Sequence, residues 1–464
     1  DVLRGAGYEE VPTVETADVL VLNTCSVREK AEQKLRSEVG RLAKLKRTRK
    51  DLVVVVAGCV AQQEGSRLIK RMGAIDLVIG PDNIVELPRL LSELSLGGLP
   101  LVRTVFDVDT PHFLPASPLT AKKRGATAFV TIMKGCDERC SFCIVPYTRG
   151  PERYRASDEI VSEIDGLVAS GVREVTLLGQ TVNSYRDPQN KLPRAPSASD
   201  DDPDESELAA LLRRIASEVP SLARMRYTSP HPRHLTPSLI HAHADLAVLP
   251  RHVHLPFQSG SDRVLKRMIR RYTRAELIER IGALVDACPD MTLSTDVIVG
   301  FPGETDEDFA ETLSLVEQVG FKGLFGFKYS QRPYTPARKL DDDVPEDVKS
   351  ERLARLFSLS EALLAEHLQT LVGTTQHVLV EGPSKARGAT LAGRTGRNEI
   401  AHIADADGLD LVGEIVPVNV MSAYKHSLDV ALTDEARASA NRIEPSQEAR
   451  GERRKLPLLQ AEAG

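Results

Sequence analysis

The 464 residues contain no apolar run near the ~20 residues that span a bilayer. The longest candidate, LVVVVA at 52–57, has the length of a strand. No secretory signal is legible and no membrane partner is expected. The chain opens on Asp1 rather than methionine, so a truncated N-terminus is expected. Six cysteines are too few to staple a chain this long, and their grouping points instead to metal in a reducing, cytoplasmic setting. Excess basic charge is also missing. Lys and Arg number 60 against 66 Asp and Glu, a net charge of −6, so any RNA contact has to come from local patches. The 11 histidines show no metal-ligand spacing, and His231, His234, His241 and His243 are expected on surface turns and helices.

What the chain does have is α/β patterning, at a length that asks for two to four domains. In 1–95, the runs DVLVLNTC (18–25), DLVVVVAGC (51–59) and IDLVIG (75–80) are continuously apolar, the mark of parallel strands covered on both faces. A helical stretch follows each, which predicts an open parallel sheet. Residues 96–121, rich in Pro and Gly, read as a linker. From 122 to 355 the alternation continues, with strands at 126–133, 173–180, 224–230, 251–257, 292–300 and 323–330. That pattern predicts an incomplete β/α barrel, with function on loops at the carboxyl ends of its strands. Thr273-x-x-Glu276 and Thr305-x-x-Asp308 read as capping boxes. Residues 186–206, dense in Pro, Ser and Asp, read as a mobile surface insertion. Residues 346–371 read as helical, with 356–371 the connection to the next unit. Short alternating runs broken by glycine at 372–433 describe a small β-barrel, and 434–464 a disordered tail.

Three cysteines stand together in 134–150, KGCDERCSFCIVPYTRG, as Cys136, Cys140 and Cys143. A 4Fe-4S cluster normally takes four thiolates. Three leave one iron with an open position, where a molecule carrying an amine and a carboxylate can chelate. Zinc with a distant fourth ligand is the competing reading, but zinc sites usually pair two C-x2-C hooks and no second hook exists here. Cys25 and Cys59 each sit where a strand gives way to a helix, so they can face one crevice; two inert buried cysteines would look the same. Cys288, before Pro289, is expected to be structural.

The C-x3-C-x2-C loop after the first barrel strand resembles the radical S-adenosylmethionine (SAM) superfamily. NTCSVREKAEQK (23–34), VAGCVAQQEG (56–65), GCDERCSFCIVPYTRGPER (135–153), LLGQTVNSY (177–185), HLPFQSGSDRVLKRMIRRYT (254–273) and DVIVGFPGETDEDF (296–309) resemble the methylthiotransferase family. GRTGRNEIAHI (393–403) with LVGEIVPVNV resembles its C-terminal TRAM domain. CIVPYTRG and NTCSVREKA look most like the MiaB-type branch, which acts on isopentenylated adenosine in tRNA. Other branches act on threonylcarbamoyl-adenosine or on a ribosomal-protein aspartate. The aspartate-modifying activity, and a non-catalytic RNA-binding Fe–S or zinc module, stay open as alternatives.

The resemblance implies Cys136, Cys140 and Cys143 as ligands of the radical-generating 4Fe-4S cluster. It implies a second 4Fe-4S cluster on three N-terminal cysteines, two of them matched by Cys25 and Cys59; the first is expected upstream of Asp1. That cluster carries sulfur methylated by one SAM, while a second SAM supplies the radical that abstracts hydrogen from carbon 2 of the base at tRNA position 37. Gln180, Ser229, Gln258, Ser259, Asp296 and Gly300 are candidates for the SAM pocket. Arg394, Arg397 and Arg153 are candidates for RNA contact, with Arg149, Arg155, Arg270 and Arg271 as further basic patches near the cluster loop. The expected partners are the tRNA anticodon stem-loop, an electron donor such as flavodoxin or ferredoxin, and a sulfur donor, acting on a monomer.

Overall fold

The structure, a computed structural model, describes residues 2–26, 29–109, 111–115, 125–192, 206–341, 343–386 and 389–441. Most of the expected insertion (193–205) and most of the expected tail (442–464) lie outside them.

The N-terminal unit is a parallel sheet of β1 (Val19–Thr24), β2 (Val53–Gly58), β3 (Leu77–Ile79) and β4 (Leu101–Arg103), in that order. The β-branched run of β2 favours extended backbone, and helices cover both of its faces. Val56 and Val78 pack with Leu35 and Val39 on one side. Val55, Leu77 and Ile79 pack with Leu87, Leu90 and Leu91 on the other. The stretch 96–121 is therefore more than a linker. Its short apolar piece Leu101–Arg103, hidden in sequence among Pro and Gly, completes this sheet.

The central unit carries β5 (Thr127–Thr131), β8 (Glu174–Leu178) and β9 (Arg224–Tyr227) in one parallel ladder. A second ladder holds β10 (His252–His254), β11 (Thr292–Val299) and β12 (Gly323–Lys328). Between β5 and β8 a two-stranded antiparallel clamp joins β6 (Met133–Lys134) to β7 (Arg153–Tyr154). Alternation sorts the strand residues. Ala128, Val130, Val175, Leu177, Met225 and Val253 join the helices in one core, each large aliphatic adding about 1.5–3 kcal/mol. Six parallel strands with intervening helices make the incomplete β/α barrel.

Both expected capping boxes form, at Thr273/Glu276 and Thr305/Asp308. Burial works against the Asp308 carboxylate, yet hydrogen bonds from Arg263, Ser261 and Thr305 hold its pKa down to about 2. A depressed folded pKa stabilises the fold above the ordinary value of 3.8 and loses that contribution as pH falls towards 2. Asp308→Asn is expected to flatten the acid-unfolding curve in that window; an unchanged slope in circular dichroism between pH 4 and pH 2 would count against it.

A helix, Glu346–Thr370, leads to a closed barrel of β13 (Thr375–Pro383), β14 (Leu391–Thr395), β15 (Ile400–Ile403), β16 (Ile415–Ala423) and β17 (Ser427–Leu432). Its β14–β15 turn docks at the amino ends of the central strands. Arg224 donates to the carbonyls of Arg394 and Thr395, each at 3.2 Å, and Lys322 pairs with the fully buried Glu399 at 2.8 Å.

Candidate iron–sulfur site

The cysteine loop is cinched at its base. Met133 pairs with Tyr154 and Lys134 with Arg153, so residues 135–152 leave and re-enter through one gate. Gly135 has φ +77°, and a Cβ there would lie 1.8 Å from the Pro151 carbonyl oxygen, so only glycine closes this neck. Asp137 and Glu152 exchange backbone-to-carboxylate hydrogen bonds at 3.2 and 3.3 Å. Ser141 donates to the carbonyls of Met268 and Arg267, and its own carbonyl accepts from Ala337. The loop is thus held at three places before any metal binds.

Cys136 and Cys140 are buried, and Cys143 is half-buried. Burial pushes the Cys136 thiol up to about 11, against the opposing hydrogen bond of Thr181. Burial of its sulfur, with the neighbouring Cys140, pushes Cys143 up to about 12. Both stay protonated at neutral pH unless a metal takes the proton's place. A single zinc ion needs ligand sulfurs about 3.8 Å apart, from tetrahedral bonds of ~2.3 Å. Among the described residues these three sulfurs do not converge within 4.8 Å of one another.

Among the described residues the one group that does converge is Glu138, His231 and His234. His231 Nδ1 accepts the Arg233 backbone N–H at 3.2 Å, so its neutral ring carries the proton on Nε2. Burial, with Arg270 nearby, holds its pKa far below the ordinary value and keeps that ring neutral. The nitrogen left free of the backbone, Nε2, is therefore the donor of the neutral ring.

Cys25 and Cys59 follow strands whose last residues, Thr24 and Gly58, are register partners. Cys25 is exposed and Cys59 buried. The helix Val145–Arg149 of the three-cysteine loop packs on the helix Cys59–Glu64, and Arg149 Nε donates to Cys59 Sγ at 3.2 Å. Below that contact lies a buried charge network. Arg153 pairs with Asp82 at 2.6 Å and with Asp107, and Lys134 reaches both carboxylates at 3.3 Å.

Residues 130–316 match the radical SAM superfamily, 369–429 the TRAM domain, and 1–80 the family described as "Uncharacterized protein family UPF0004". A "tRNA-2-methylthio-N(6)-dimethylallyladenosine synthase" from Sorangium cellulosum is 70% identical, with 100% of this chain and 96% of that protein covered. Its namesakes from Syntrophobacter fumaroxidans and Bordetella petrii are 46% and 44% identical, with 92% and 94% of this chain covered and 90% and 87% of theirs. The chain belongs to the radical SAM methylthiotransferases, in their MiaB-type branch. It is an enzyme of the radical SAM class, with a 4Fe-4S cluster and SAM as its cofactors. Cys136, Cys140 and Cys143 are the residues that would hold that cluster.

The other candidates of this methylthiotransferase divide. Gln180 lies just past β8, and its Oε1 is buried without a partner among the described residues. Ser229 (φ +62°) and Gln258 (φ +74°) sit in left-handed backbone at the carboxyl ends of β9 and β10. Gly300 follows β11 and its N–H donates to Glu304. Asp296 lies mid-strand, 3.4 Å from His254. Ser259 is fully buried and engaged with Thr312 and Ser261, because the next residue, Gly260, packs on the helix Asp306–Val319.

The basic patches need larger corrections. Arg153 is buried in the junction network, and Arg155 is buried against Glu163. Arg149 is turned to Cys59 and Arg270 to Cys140. Arg271 remains exposed. Arg394 and Arg397 flank the docked turn, Arg394 near Glu381 and Arg397 donating to Gln376. His231 and His243 are buried rather than on the surface; His243 bonds the Tyr227 hydroxyl at 2.7 Å. Cys288 is buried beside Arg251. Sequence reasoning passed over Thr181, the Cys136 partner, although it lies inside the quoted LLGQTVNSY motif.

Proposed function

We propose that this methylthiotransferase acts on tRNA, adding a methylthio group to carbon 2 of isopentenylated adenosine at position 37, with two SAM consumed per turnover. Cys25 and Cys59 then contribute to a second 4Fe-4S cluster, where the sulfur is staged. The observation that carries this reading is the Arg149–Cys59 contact, which ties the second cysteine group directly to the loop of the first. When bound, the radical-site cluster supplies the electron that cleaves SAM and so generates the radical.

The chain's own residues bind, orient and exclude water. The unpaired buried Gln180 Oε1 is an acceptor suited to the methionine amine. The strained backbone at Ser229 and Gln258 turns polar groups at the strand ends, where a SAM pocket is expected. Arg394, with part of its side chain exposed, and Arg397 are the RNA contacts of the small barrel. The target base leaves its stack to reach the site. An external one-electron donor and a sulfur donor serve a monomer, in the cytoplasm. Among the described residues no helix is long and apolar enough to cross a membrane.

Anaerobic incubation of the reconstituted full-length enzyme with isopentenylated tRNA, SAM and reductant is expected to yield the methylthio base by nucleoside mass spectrometry. Release of 5′-deoxyadenosine with no methylthio product would overturn the substrate assignment.

A further inference from the structure

Arg270 is one of the most deeply buried cations in the protein, at 5% exposure. Its Nη2 donates to the Pro256 carbonyl at 2.7 Å, its Nε to the Tyr272 hydroxyl at 3.4 Å, and its Nη1 to Cys140 Sγ at 3.4 Å. The first two partners are neutral, and the third is a sulfur that becomes a thiolate only when it binds metal. The other buried arginines of the site are paired: Arg153 with Asp82 and Asp107, Arg155 with Glu163, Arg352 with Glu304. Arg270 has no carboxylate in ion-pair contact among the described residues. Buried Glu138 feels the Arg270 charge but lies beyond ion-pair contact, so the closest anion the site can offer Arg270 is the sulfur of Cys140.

The backbone delivers this side chain at a cost. Ile269, the residue before it, is in the left-handed region at φ +60°, and Arg271, the residue after it, at φ +55°. A β-branched isoleucine there is a true outlier. Strain on both sides of one residue persists only where the surroundings over-determine it, and such strain gathers at functional sites. Here the Arg270 N–H is fixed to the Leu265 carbonyl at 3.0 Å, which turns the side chain towards the cysteine loop.

We propose that Arg270 is the built-in counter-ion of the three-cysteine cluster, holding the Cys140 thiolate by an N–H···S hydrogen bond and raising the cluster's reduction potential. This rests on Cys136, Cys140 and Cys143 holding a 4Fe-4S cluster. Three thiolates make the bound cluster an anion, and reduction by an external one-electron donor adds one more negative charge. A fixed cation against one thiolate favours the reduced state, and hydrogen bonds to cluster sulfur act in the same direction. Arg270 is a positioning residue; nothing places it on substrate.

The test compares Arg270→Met and Arg270→Lys in a Cys25→Ala/Cys59→Ala background, so that a single cluster assembles. Iron and sulfide content, the midpoint potential from an EPR-monitored redox titration, and the melting temperature of the iron-free protein are measured. Arg270→Met is expected to lower the midpoint potential and to weaken iron retention by ~10–100-fold, the range typical of a lost outer-shell partner. Its iron-free melting temperature should stay level or rise, since an unpaired buried charge is gone. Arg270→Lys, which keeps the charge, should recover most of the potential. A midpoint potential unchanged in Arg270→Met with full iron overturns the proposal, as does a lower iron-free melting temperature with the potential unmoved. No cluster signal in the Arg270-containing parent overturns the cysteine site itself, a different failure from an unshifted potential.

Discussion

Cys140→Ala is expected to leave a folded protein that retains almost none of the radical-site cluster's iron, about four atoms per chain. SAM cleavage should fall by far more than the ~10–100-fold that loss of an outer-shell partner costs. The physical ground is the position of the sulfur. Cys140 is buried, lies in a loop pinned at Gly135, Ser141 and the β6–β7 clamp, and takes the Arg270 N–H. The iron-free variant should melt within about 1 kcal/mol of its parent, since only one sulfur is removed. Iron analysis, 5′-deoxyadenosine assay and melting together decide it; full iron in Cys140→Ala would remove Cys140 from the ligand set. Because Cys136 and Cys143 hold their protons at neutral pH, iron loading of the parent should also become easier from pH 7 to pH 8.5.

Arg153→Met is expected to be the most destabilising change at the junction of the N-terminal and central units. It strands Asp82 and Asp107 with Lys134 as their remaining cation. Breaking a buried pair by removing one partner costs about 3–5 kcal/mol. Burial opposes the charge on Asp82, and the bond from Arg153 with the charge of Lys134 outweighs it, keeping the carboxyl below its ordinary value. Stability from Asp82 is therefore present above the ordinary carboxylate range and lost in acid, and the variant should lose that acid-sensitive portion. Function should divide as well. The cysteine loop keeps its ligands, so SAM cleavage should survive at permissive temperature. Methylthio transfer, which in the proposed two-cluster reading needs both cysteine groups in register, should fall much further. Equal losses of both activities would show that the network only holds the fold.

The two arginine readings explain where sequence reasoning stops. Arg149, Arg153, Arg155, Arg270 and Arg271 look alike in one dimension: basic residues close to a cysteine loop or a helix end. Folded, one is exposed. The rest are turned to a cysteine sulfur, to carboxylates from other elements, or to both the loop and a backbone carbonyl. Asp82 is 71 residues from Arg153, and Cys140 is 130 residues from Arg270. No local pattern carries such pairings.

The strands were legible because buried parallel strands need continuous apolar runs, and the helices because capping and periodicity are local. The cysteine triplet was legible for the same reason: a ligand set confined to 136–143 is a matter of spacing along one loop. The first sheet's last strand, Leu101–Arg103, was missed because three residues give no period to detect. Sequence by itself determined the α/β architecture, the grouping of three thiols on one loop, and the kinship that names the chemistry. Tertiary structure alone decided which cations serve the cysteines and which face solvent. Exposure and charge pairing are set by the packing of elements remote in sequence, and the energy of a buried charge depends on what lies within a few ångströms of it.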